Sequence, residues 1–435
     1  MPQSTGSVAD DAPRRAVISR TLYSLLLRLL LPLALLLACR GATGQRRQCL
    51  ADRLGLVQAA GASPVLWLHA ASVGEVNAAR PLIEALLEQY PGHELRMTTM
   101  TATGAERVRV LFGERVRHSF LPLDTPGATR RFIERVRPKL AIIMETELWP
   151  NLYYQLWCAV IPLLLTNARI SPRTFNAYRR LGGLMRATLA ATSRVGCQSE
   201  ADAGRLRALG APRCESLGNL KFDMQLPGNA REEGLRWRTE WAGDRPLWIA
   251  GSTREDEEVQ VLAAHRLLSP EVLLVLVPRH PQRFDEVARL CEDEGLSLAR
   301  RSRGELPERG TRVFLVDTMG ELLRFYATAD VAFVGGSLVR VGGQNPLEPA
   351  ALGVPVVMGS SRFNFEAVTG QLEAVGALAG VADASELATT VRRLLTDQAA
   401  RGQMGEAGRE LVAANQGATE RYLGMVAAVL SPRQG

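Results

Sequence analysis

Short apolar segments alternate with segments of helical periodicity along most of the chain, and this alternation constrains the fold more than any other feature. The first half contains apolar segments that predict buried strands, at 65–68, 94–98, 116–120, 140–144, 161–165 and 195–197. The second half contains a further set, at 247–250, 272–277, 313–316, 331–334 and 354–358. Segments with helical spacing lie between them, at 76–89, 103–112, 129–136, 255–268, 284–294 and 321–327. Alternating strands and helices favour parallel sheets covered by helices, so we predict two doubly wound α/β lobes.

The chain length supports this division into two lobes. With 435 residues the chain is too long for a single hydrophobic core. A polar stretch containing Pro227 and Gly228 separates the two sets of strands and is typical of an interdomain linker. The predicted divisions are an amino-terminal tail and anchor over 1–42, a first Rossmann-like lobe over 43–222, a linker over 223–244 and a second Rossmann-like lobe over 245–435.

The composition is that of an ordinary globular protein with an excess of basic residues. Hydrophobic residues make up 46% and charged residues 22%, which argues against disorder, and the formal net charge is +7. This excess favours anionic partners such as phospholipid head groups or phosphorylated substrates. Nucleic acid is not expected as a partner, because the few aromatic residues do not interleave with the basic clusters.

The cysteines and histidines favour a reduced protein without a metal. No two cysteines form a C-x-x-C pair, and none has metal-ligand spacing: Cys39, Cys49, Cys158, Cys197, Cys214 and Cys291. The chain has five histidines, so a zinc site built by the protein is not expected. We therefore predict free thiols in a protein that faces the cytoplasm.

An almost wholly apolar segment over 22–39 predicts an amino-terminal hydrophobic membrane-anchor helix. At about 1.5 Å per residue it just crosses a hydrocarbon core of about 30 Å. Because Arg28 and Pro32 interrupt the segment, a helix lying in the membrane surface fits as well as a span. The flanking basic residues favour an uncleaved anchor in the inner (cytoplasmic) membrane, with anionic lipids as partners. A cleaved lipoprotein-type signal ending at Cys39 and a buried core helix are the alternatives.

In the first half of the chain, polar residues come directly after the predicted strands. Open α/β sheets bind ligands outside these carboxyl ends of their strands. Ser72 and Glu75 follow the first strand with the spacing of a capping box, and Glu75 is also a candidate general base. The helix terminus would keep this carboxylate ionised, which makes it a weaker base. Glu145 and Glu147 follow the strand at 140–144 and would shift each other's pKa, unless they lie in a solvated loop. Lys221 lies beside the predicted linker, where a single lysine is usually a surface residue.

The second half has corresponding groups at its strand ends. Arg279 and His280 lie between two prolines, and a rigidly placed guanidinium suits a phosphate or carboxylate. The segment 345–348 has the pattern of a helix start, with Asn345 as the cap. Paired glycines at 335–336 and 342–343 would let backbone amides approach a phosphate closely. For this last motif, a nucleotide site and a simple helix start are equally good interpretations.

Together these motifs resemble the transferases of 3-deoxy-D-manno-octulosonic acid (Kdo) that act on lipid A precursors in lipopolysaccharide biosynthesis. The resemblance covers almost the whole chain and includes long strings in the same order. These are His69-Ala70-Ala71-Ser72-Val73-Gly74-Glu75, Thr98-Thr99-Met100-Thr101-Ala102-Thr103-Gly104, Met144-Glu145-Thr146-Glu147-Leu148-Trp149-Pro150-Asn151, Asn167-Ala168-Arg169, Gly218-Asn219-Leu220-Lys221-Phe222-Asp223, Pro278-Arg279-His280-Pro281, Asp317-Thr318-Met319-Gly320-Glu321-Leu322 and Phe333-Val334-Gly335-Gly336-Ser337.

The resemblance implies a GT-B glycosyltransferase with two Rossmann-like lobes around a cleft. It implies inverting transfer of Kdo from CMP-Kdo to a sugar hydroxyl of a lipid A precursor (lipid IVA), without a metal or other cofactor. By this likeness Glu75 is the general base, and Glu145 and Lys221 stabilise the transition state. The implied CMP-binding residues are Pro278, Arg279, Met319, Gly320, Glu321, Asn345, Pro346, Leu347 and Glu348.

Two departures and two rival hypotheses accompany the resemblance. The family usually has histidine where this chain has Gln344, and Arg28 lies within the anchor segment. One rival is a lipid-anchored periplasmic binding protein, which also has two α/β lobes; the unpaired cysteines and the glutamates at strand ends speak against it. The other rival is a GT-B transferase for a different nucleotide sugar, which would bind UDP rather than CMP.

Overall fold

The computed structural model describes residues 8–38, 46–224 and 226–431. The predicted anchor segment forms two helices in it, α1 (Val8–Leu29) and α2 (Leu31–Ala38). Pro32 lacks a backbone N–H and clashes with the preceding turn, which explains the break at Leu30. Among the helices described, none has the length and apolar character needed to cross a bilayer. The anchor therefore stays a prediction, and Cys39 of the alternative signal lies outside the described residues.

The described residues form two compact units, one ending at Asp223 and resuming at Gln416, the other running from Met224 to Asn415. In the first unit, α3 (Arg46–Arg53) precedes a parallel sheet. Its strands are β1 (Val65–His69), β2 (Glu94–Thr99), β3 (Arg117–Phe120), β4 (Pro138–Met144), β5 (Leu163–Ala168), β6 (Arg194–Cys197) and β7 (Cys214–Ser216). Its helices are α4 (Val73–Gln89), α5 (Ala102–Phe112), α6 (Pro126–Val136), α7 (Pro150–Cys158), α8 (Pro172–Arg180), α9 (Gly182–Ala190) and α10 (Glu200–Ala208). The strand order is β3-β2-β1-β4-β5-β6-β7.

The second unit has the same architecture. Its helices are α11 (Ala230–Trp241), α12 (Glu257–Arg266), α13 (Phe284–Asp293), α14 (Leu322–Tyr326), α15 (Leu347–Ala351), α16 (Glu366–Ala374), α17 (Ala384–Thr396) and α18 (Gln398–Asn415). Its strands are β8 (Leu247–Thr253), β9 (Leu273–Pro278), β10 (Leu298–Arg300), β11 (Val313–Leu315), β12 (Val331–Val334), β13 (Val356–Met358) and β14 (Leu378–Gly380). The sheet is parallel, with strand order β10-β11-β9-β8-β12-β13-β14.

Two boundaries differ from those predicted. The last helix, α19 (Ala418–Leu430), belongs to the first unit, where Tyr422 is buried and its hydroxyl donates to the Gly218 carbonyl oxygen at 3.1 Å. Most of the predicted linker is helix α11 of the second unit, whose Trp241 packs on Phe314 with ring centroids 5.4 Å apart. Helical periodicity does not reveal which sheet a helix covers, so the sequence could not make this assignment.

Apolar side chains cover both faces of each sheet, as parallel sheets require. In the first unit, Trp67 of β1 is fully buried and its ring packs edge-on against Phe132 of α6, with centroids 4.9 Å apart. In the second unit, Trp248 of β8 is fully buried and its indole nitrogen donates to His265 at 3.2 Å. These cores hold the carboxyl ends of the strands in fixed positions, and the polar groups that follow the strands are fixed with them.

Candidate functional site

The three predicted catalytic residues gather at the point where the strand order of the first sheet reverses. In the order β3-β2-β1-β4-β5, the chain leaves β1 toward one edge and returns through β4 toward the other. Glu75 lies just after β1, and Glu145 follows β4 directly. Ligands of doubly wound sheets bind at such a reversal, outside the carboxyl ends of the strands.

Glu75 is held by the first turn of α4. Ser72 is the N-cap and its hydroxyl accepts from the Glu75 amide at 3.4 Å, while the same hydroxyl donates to Glu75 Oε1 at 3.1 Å. The Ala71 amide donates to Glu75 Oε2 at 2.8 Å. The predicted capping arrangement is therefore present, and it fixes the carboxylate of the candidate base.

The electrostatic surroundings of Glu75 oppose the expected effect of the helix terminus. Burial raises its pKa to about 7, with the nearby Glu145 and Glu147 carboxylates adding to the increase, although the bonds from Ala71 and Ser72 act in the opposite direction. The expectation of a firmly ionised, weak base is therefore wrong. A carboxylate with a pKa near 7 accepts a proton more effectively at neutral pH.

Glu145 and Glu147 diverge around the turn that follows β4. Glu145 has a left-handed backbone, with φ of +54°, and its Oε2 lies 3.2 Å from Arg169 Nε. Burial raises the pKa of Glu147, and the charge of Glu145 raises it further. Neither residue lies in a freely solvated loop, because Thr146 between them exchanges hydrogen bonds with the Arg169 backbone.

Lys221 lies on a short turn that the neighbouring strand fixes. Asn167, which follows the core of β5, accepts from the Leu220 amide at 3.0 Å, and Asn219 accepts from the Lys221 amide at 3.0 Å. Burial lowers the pKa of the Lys221 ammonium, whereas the charges of Glu145 and Glu75 raise it. These mutual effects show that Glu75, Glu145 and Lys221 share one electrostatic environment.

Sequence reasoning did not assign a role to two residues at this site. Arg169 bonds to Glu145, and Asn167 fixes the turn that carries Lys221. Asn167 lies near the end of β5 and Arg169 follows it, one strand beyond Glu145. Treating the end of β5 like the other strand ends would have identified them. The residue type could also have singled out Lys221, because the chain has only two lysines, Lys139 and Lys221, among its 52 basic residues.

The predicted CMP-binding residues lie at the carboxyl edge of the second sheet. Arg279 follows β9, and its charge lowers the pKa of the Glu348 carboxyl, although burial dominates and raises that pKa overall. The N-cap of α15 is Pro346, one residue later than predicted. Asn345 Oδ1 accepts from the Leu347 amide at 3.2 Å, and the Asn345 amide nitrogen donates to Glu348 at 3.2 Å. Arg279, Asn345 and Glu348 are therefore neighbours, and Pro346 lies within the same turn.

The segment of Met319, Gly320 and Glu321 follows β11. This strand neighbours β9 on the side away from β8. Met319 is 61% exposed, and Gly320 has a φ of +88° that favours glycine. Glu321 is paired with Arg301 at 3.0 Å, and that bond is the main cause of its lowered pKa. Asp317 does not cap the next helix; it accepts from Ser302 and lies 2.8 Å from Arg300.

The paired glycines do not offer their amides to a ligand, contrary to one of our two interpretations. The buried Glu257 carboxylate accepts from the Gly336, Ser337 and Leu338 amides at 2.6, 2.9 and 2.9 Å. The Gly343 amide donates to the Gly336 carbonyl oxygen at 2.7 Å. These four amides are thus bonded within the protein, and an anion beside them would have to be held by side chains.

One further cation at this edge was missed from the sequence. Arg254 follows β8, which neighbours both β9 and β12, and its guanidinium donates to His280 Nε2. Within the described residues, no group of three or more His, Cys, Asp or Glu side chains has the geometry of a metal site. Three arginines surround His280 at this edge: Arg254, Arg279 and Arg283.

Comparison with known proteins assigns the chain to a family. Residues 48–224 match the family described as 3-deoxy-D-manno-octulosonic-acid transferase (kdotransferase), and residues 297–411 match glycosyl transferases group 1. The chain is 44% identical over 393 residues to the 3-deoxy-D-manno-octulosonic acid transferase of Haemophilus influenzae, covering 87% of this chain and 91% of the relative. The chain belongs to the Kdo transferase family. The Kdo transferase of Bordetella pertussis is 40% identical over 426 residues, covering 93% of this chain and 98% of the relative.

Solved structures support the fold of this Kdo transferase. A putative UDP-N-acetylglucosamine 2-epimerase from Listeria monocytogenes matches with a TM-score of 0.53 at 13% identity, over 85% of this chain and 97% of that one. HepE of Anabaena, in complex with UDP, matches with a TM-score of 0.53 at 14% identity, over 84% of this chain and 100% of that one. At these identities the likeness concerns the fold alone, a GT-B-like pair of Rossmann-like lobes. The predicted glycosyltransferase family is confirmed.

Proposed function

We propose that this Kdo transferase moves Kdo from CMP-Kdo to a sugar hydroxyl of lipid IVA, in lipopolysaccharide biosynthesis, with inversion at the anomeric carbon. The observation that carries the proposal is the environment of Glu75. Its carboxyl has a pKa of about 7 at the strand-order reversal of the first sheet, close to Glu145 and Lys221. A general base with a pKa near the working pH suits the activation of a sugar hydroxyl.

The chemistry is a direct displacement. The acceptor hydroxyl oxygen attacks the anomeric carbon of Kdo, the bond from that carbon to the phosphate oxygen breaks, and CMP leaves. Glu75 takes the proton of the attacking hydroxyl. Lys221 and the Glu145–Arg169 pair, whose atoms lie 3.2 Å apart, provide fixed charges beside the reacting groups. No covalent intermediate on the protein is needed, so the configuration inverts.

The reaction also requires that the leaving phosphate be stabilised, and arginines can do this without a metal ion. Departure of CMP leaves negative charge on the phosphate, which guanidinium groups stabilise through charge-assisted hydrogen bonds. Arg279 lies at the carboxyl end of β9, beside Asn345 and Glu348 of the turn before α15. We propose that Pro278, Arg279, Met319, Gly320, Glu321 and the turn 345–348 bind the CMP moiety, and that no cofactor participates.

The acceptor is a lipid, and helix α1 has a face suited to a membrane surface. Leu22, Leu25, Leu26 and Leu29 are between 53% and 73% exposed. The opposite side of the helix is tied to the first unit: the Tyr23 hydroxyl donates to Asp124 at 3.0 Å. Exposed leucines on a helix with arginines suit an anionic lipid surface. We propose that this helix holds the enzyme at the inner membrane, with its lobes on the cytoplasmic side.

The test is a transfer assay with the full chain in detergent. It uses CMP-Kdo generated in situ and lipid IVA as the acceptor, and mass spectrometry reads the products. We expect the acceptor mass to rise in steps of one Kdo residue, which also counts the residues added. A folded protein that binds CMP and leaves lipid IVA unchanged would contradict the acceptor assignment. A folded protein that binds UDP but not CMP would contradict the donor assignment.

A further inference from the structure

Arg254 lies at the reversal point of the second sheet, where β8 and β12 run side by side. Its backbone amide donates to Glu257 Oε2 at 3.1 Å, and the same carboxylate binds the amides of the loop after β12. The main chain of Arg254 is therefore fixed independently of its side chain. In a doubly wound sheet this is the position at which a ligand binds.

The guanidinium of Arg254 has no carboxylate partner. Its Nε is buried without a hydrogen-bond partner, and its terminal nitrogen donates to His280 Nε2. The nearby acids are engaged elsewhere, since Glu257 accepts from backbone amides and Glu258 lies 2.9 Å from Arg283. Across the described residues, Arg254 forms no salt bridge. A partly buried, uncompensated arginine is costly unless an anion binds it.

Arg254 lies near other arginines and near the Glu257 carboxylate. Burial lowers the pKa of Arg254 and the charge of Arg279 lowers it further, whereas the charge of Glu257 raises it. Burial also lowers the pKa of His280, with Arg254, Arg279 and Arg283 adding to the effect, so this imidazole stays neutral and accepts a hydrogen bond from Arg254. An anion bound by both guanidinium groups would offset their mutual repulsion.

The side chain of Arg254 packs beside a glycine of the loop after β12. Gly336 has a φ of +69°, and a Cβ placed there would lie 3.3 Å from Gln344 Nε2 and 3.7 Å from Arg254 Cγ. Any other residue would have a strained backbone there, and its Cβ would crowd the Gln344 amide and contact Arg254. The side chains of Arg254 and Gln344 therefore both lie beside Gly336, just after β12.

We propose that Arg254, together with Arg279, binds the phosphate of the nucleotide donor. The inference rests on the proposed function and extends it, since Arg254 is not among the CMP-binding residues that the family resemblance implied. The amides of Gly336, Ser337, Leu338 and Gly343 are bonded within the protein, so at these positions side-chain donors have to supply the anion contacts. Arg254 is thus a substrate-binding residue, and His280 keeps its guanidinium in place.

The test separates phosphate binding from nucleoside binding. Calorimetry measures the affinity of the full chain for CMP and for cytidine, in the wild type and in Arg254→Gln and Arg254→Lys. We expect Arg254→Gln to weaken CMP binding by about 10- to 100-fold, the usual worth of a charge-assisted hydrogen bond, and to leave cytidine binding unchanged. Arg254→Lys, which keeps the charge, is expected to have a CMP affinity between those of the wild type and Arg254→Gln. The control is Arg266→Gln on α12, an exposed arginine paired with Glu294, which is expected to change neither affinity.

Three results would overturn the inference. One is an unchanged CMP affinity in a folded Arg254→Gln protein, and another is an equal loss of CMP and cytidine affinity, which would indicate a structural role. The third is an unchanged CMP affinity with a raised KM for CMP-Kdo, which would assign Arg254 to the sugar carboxylate instead. If Arg254→Gln does not fold, Arg254→Lys decides by the same comparison. A wild-type protein that fails to bind CMP would instead contradict the proposed function.

Discussion

The two sheets have the same architecture, but the side chains proposed to act on the substrates at their reversal points differ in charge. In the first unit the reversal gathers carboxylates, Glu75, Glu145 and Glu147, around a single lysine. In the second unit it gathers arginines, Arg254 and Arg279, beside a neutral histidine. The same supporting fold therefore provides two different chemical environments.

Burial acts on both groups, and its consequences differ with the residue type. It raises the pKa of Glu75 to about 7, so this carboxyl exchanges a proton near neutral pH. It lowers the pKa of Arg254, but a guanidinium remains protonated throughout the physiological range. The first site can relieve its buried charge by taking up a proton, whereas the second can do so only by binding an anion. This difference matches the two demands of the proposed reaction, a proton acceptor and a stabiliser of the leaving phosphate.

The first prediction tests whether the first site depends on its lysine. We expect Lys221→Met to lower the transfer rate by about 100- to 1,000-fold, because a fixed positive charge beside the reacting groups is lost. Since Lys221 and Glu75 stabilise each other's charged forms, the pH at which the rate rises should also increase. Steady-state kinetics across pH measure both. The control is Lys139→Met, the exposed second lysine on β4; a folded Lys221→Met with normal kinetics would contradict the role.

The second prediction tests whether the other site acts on the nucleotide alone. We expect Arg279→Gln to raise the KM for CMP-Kdo and weaken CMP binding by about 10- to 100-fold, because one guanidinium contact to the nucleotide is lost. The pH dependence of transfer should not move, since it is set by Glu75 in the first unit. A shift of the pH–rate profile in this variant would contradict the claim that the first site alone sets the pH dependence.

The third prediction concerns the stability of the first unit. The pKa of Glu75 is raised from 4.5 to about 7, so ionising this residue destabilises the folded protein as pH rises between these values. Glu75→Gln should therefore raise the free energy of unfolding by about 1–3 kcal/mol above pH 7, and the gain should vanish at acid pH. Urea unfolding at both pH values measures it, with Glu88→Gln, exposed on the same helix, as the control. Destabilisation at every pH would mean that the capping bonds dominate.

The smallest expected effect concerns Glu147. Its charge helps to raise the pKa of Glu75, so Glu147→Gln should move the rising part of the pH–rate profile to lower pH. We expect a shift of less than about one pH unit, because Glu147 is a weaker influence than burial or Glu145. Kinetics across pH measure it, and the exposed Glu134→Gln serves as the control. No shift would show that Glu147 is too well screened to affect the base.

The sequence predicted the sheets well and the details of the sites less well. Every predicted strand is present, because buried parallel strands are continuous apolar runs that need no tertiary information to be recognised. The strands that were missed, β7, β10 and β14, have three residues each and lie at or next to the sheet edges. Such short segments carry too few residues for a periodic pattern.

The properties that depend on neighbours from other strands could not be predicted. The pKa of Glu75 depends on Glu145 and Glu147, which are distant in sequence, and this made the expectation from the helix terminus wrong. Glu257 occupies the amides of the loop after β12, although it lies 79 residues before Gly336. The family resemblance supplied the candidate residues, but not which of their polar atoms are already bonded.

The most direct test of the central claim compares the wild type with Glu75→Gln. Both assays are done on a single preparation of each protein. Transfer of Kdo to lipid IVA is read by mass, and CMP affinity is read by calorimetry on the same samples. We predict that Glu75→Gln loses transfer by about 100- to 10,000-fold, the usual contribution of a general base, while its CMP affinity is unchanged. A folded Glu75→Gln protein that transfers Kdo at a near-normal rate would contradict the account.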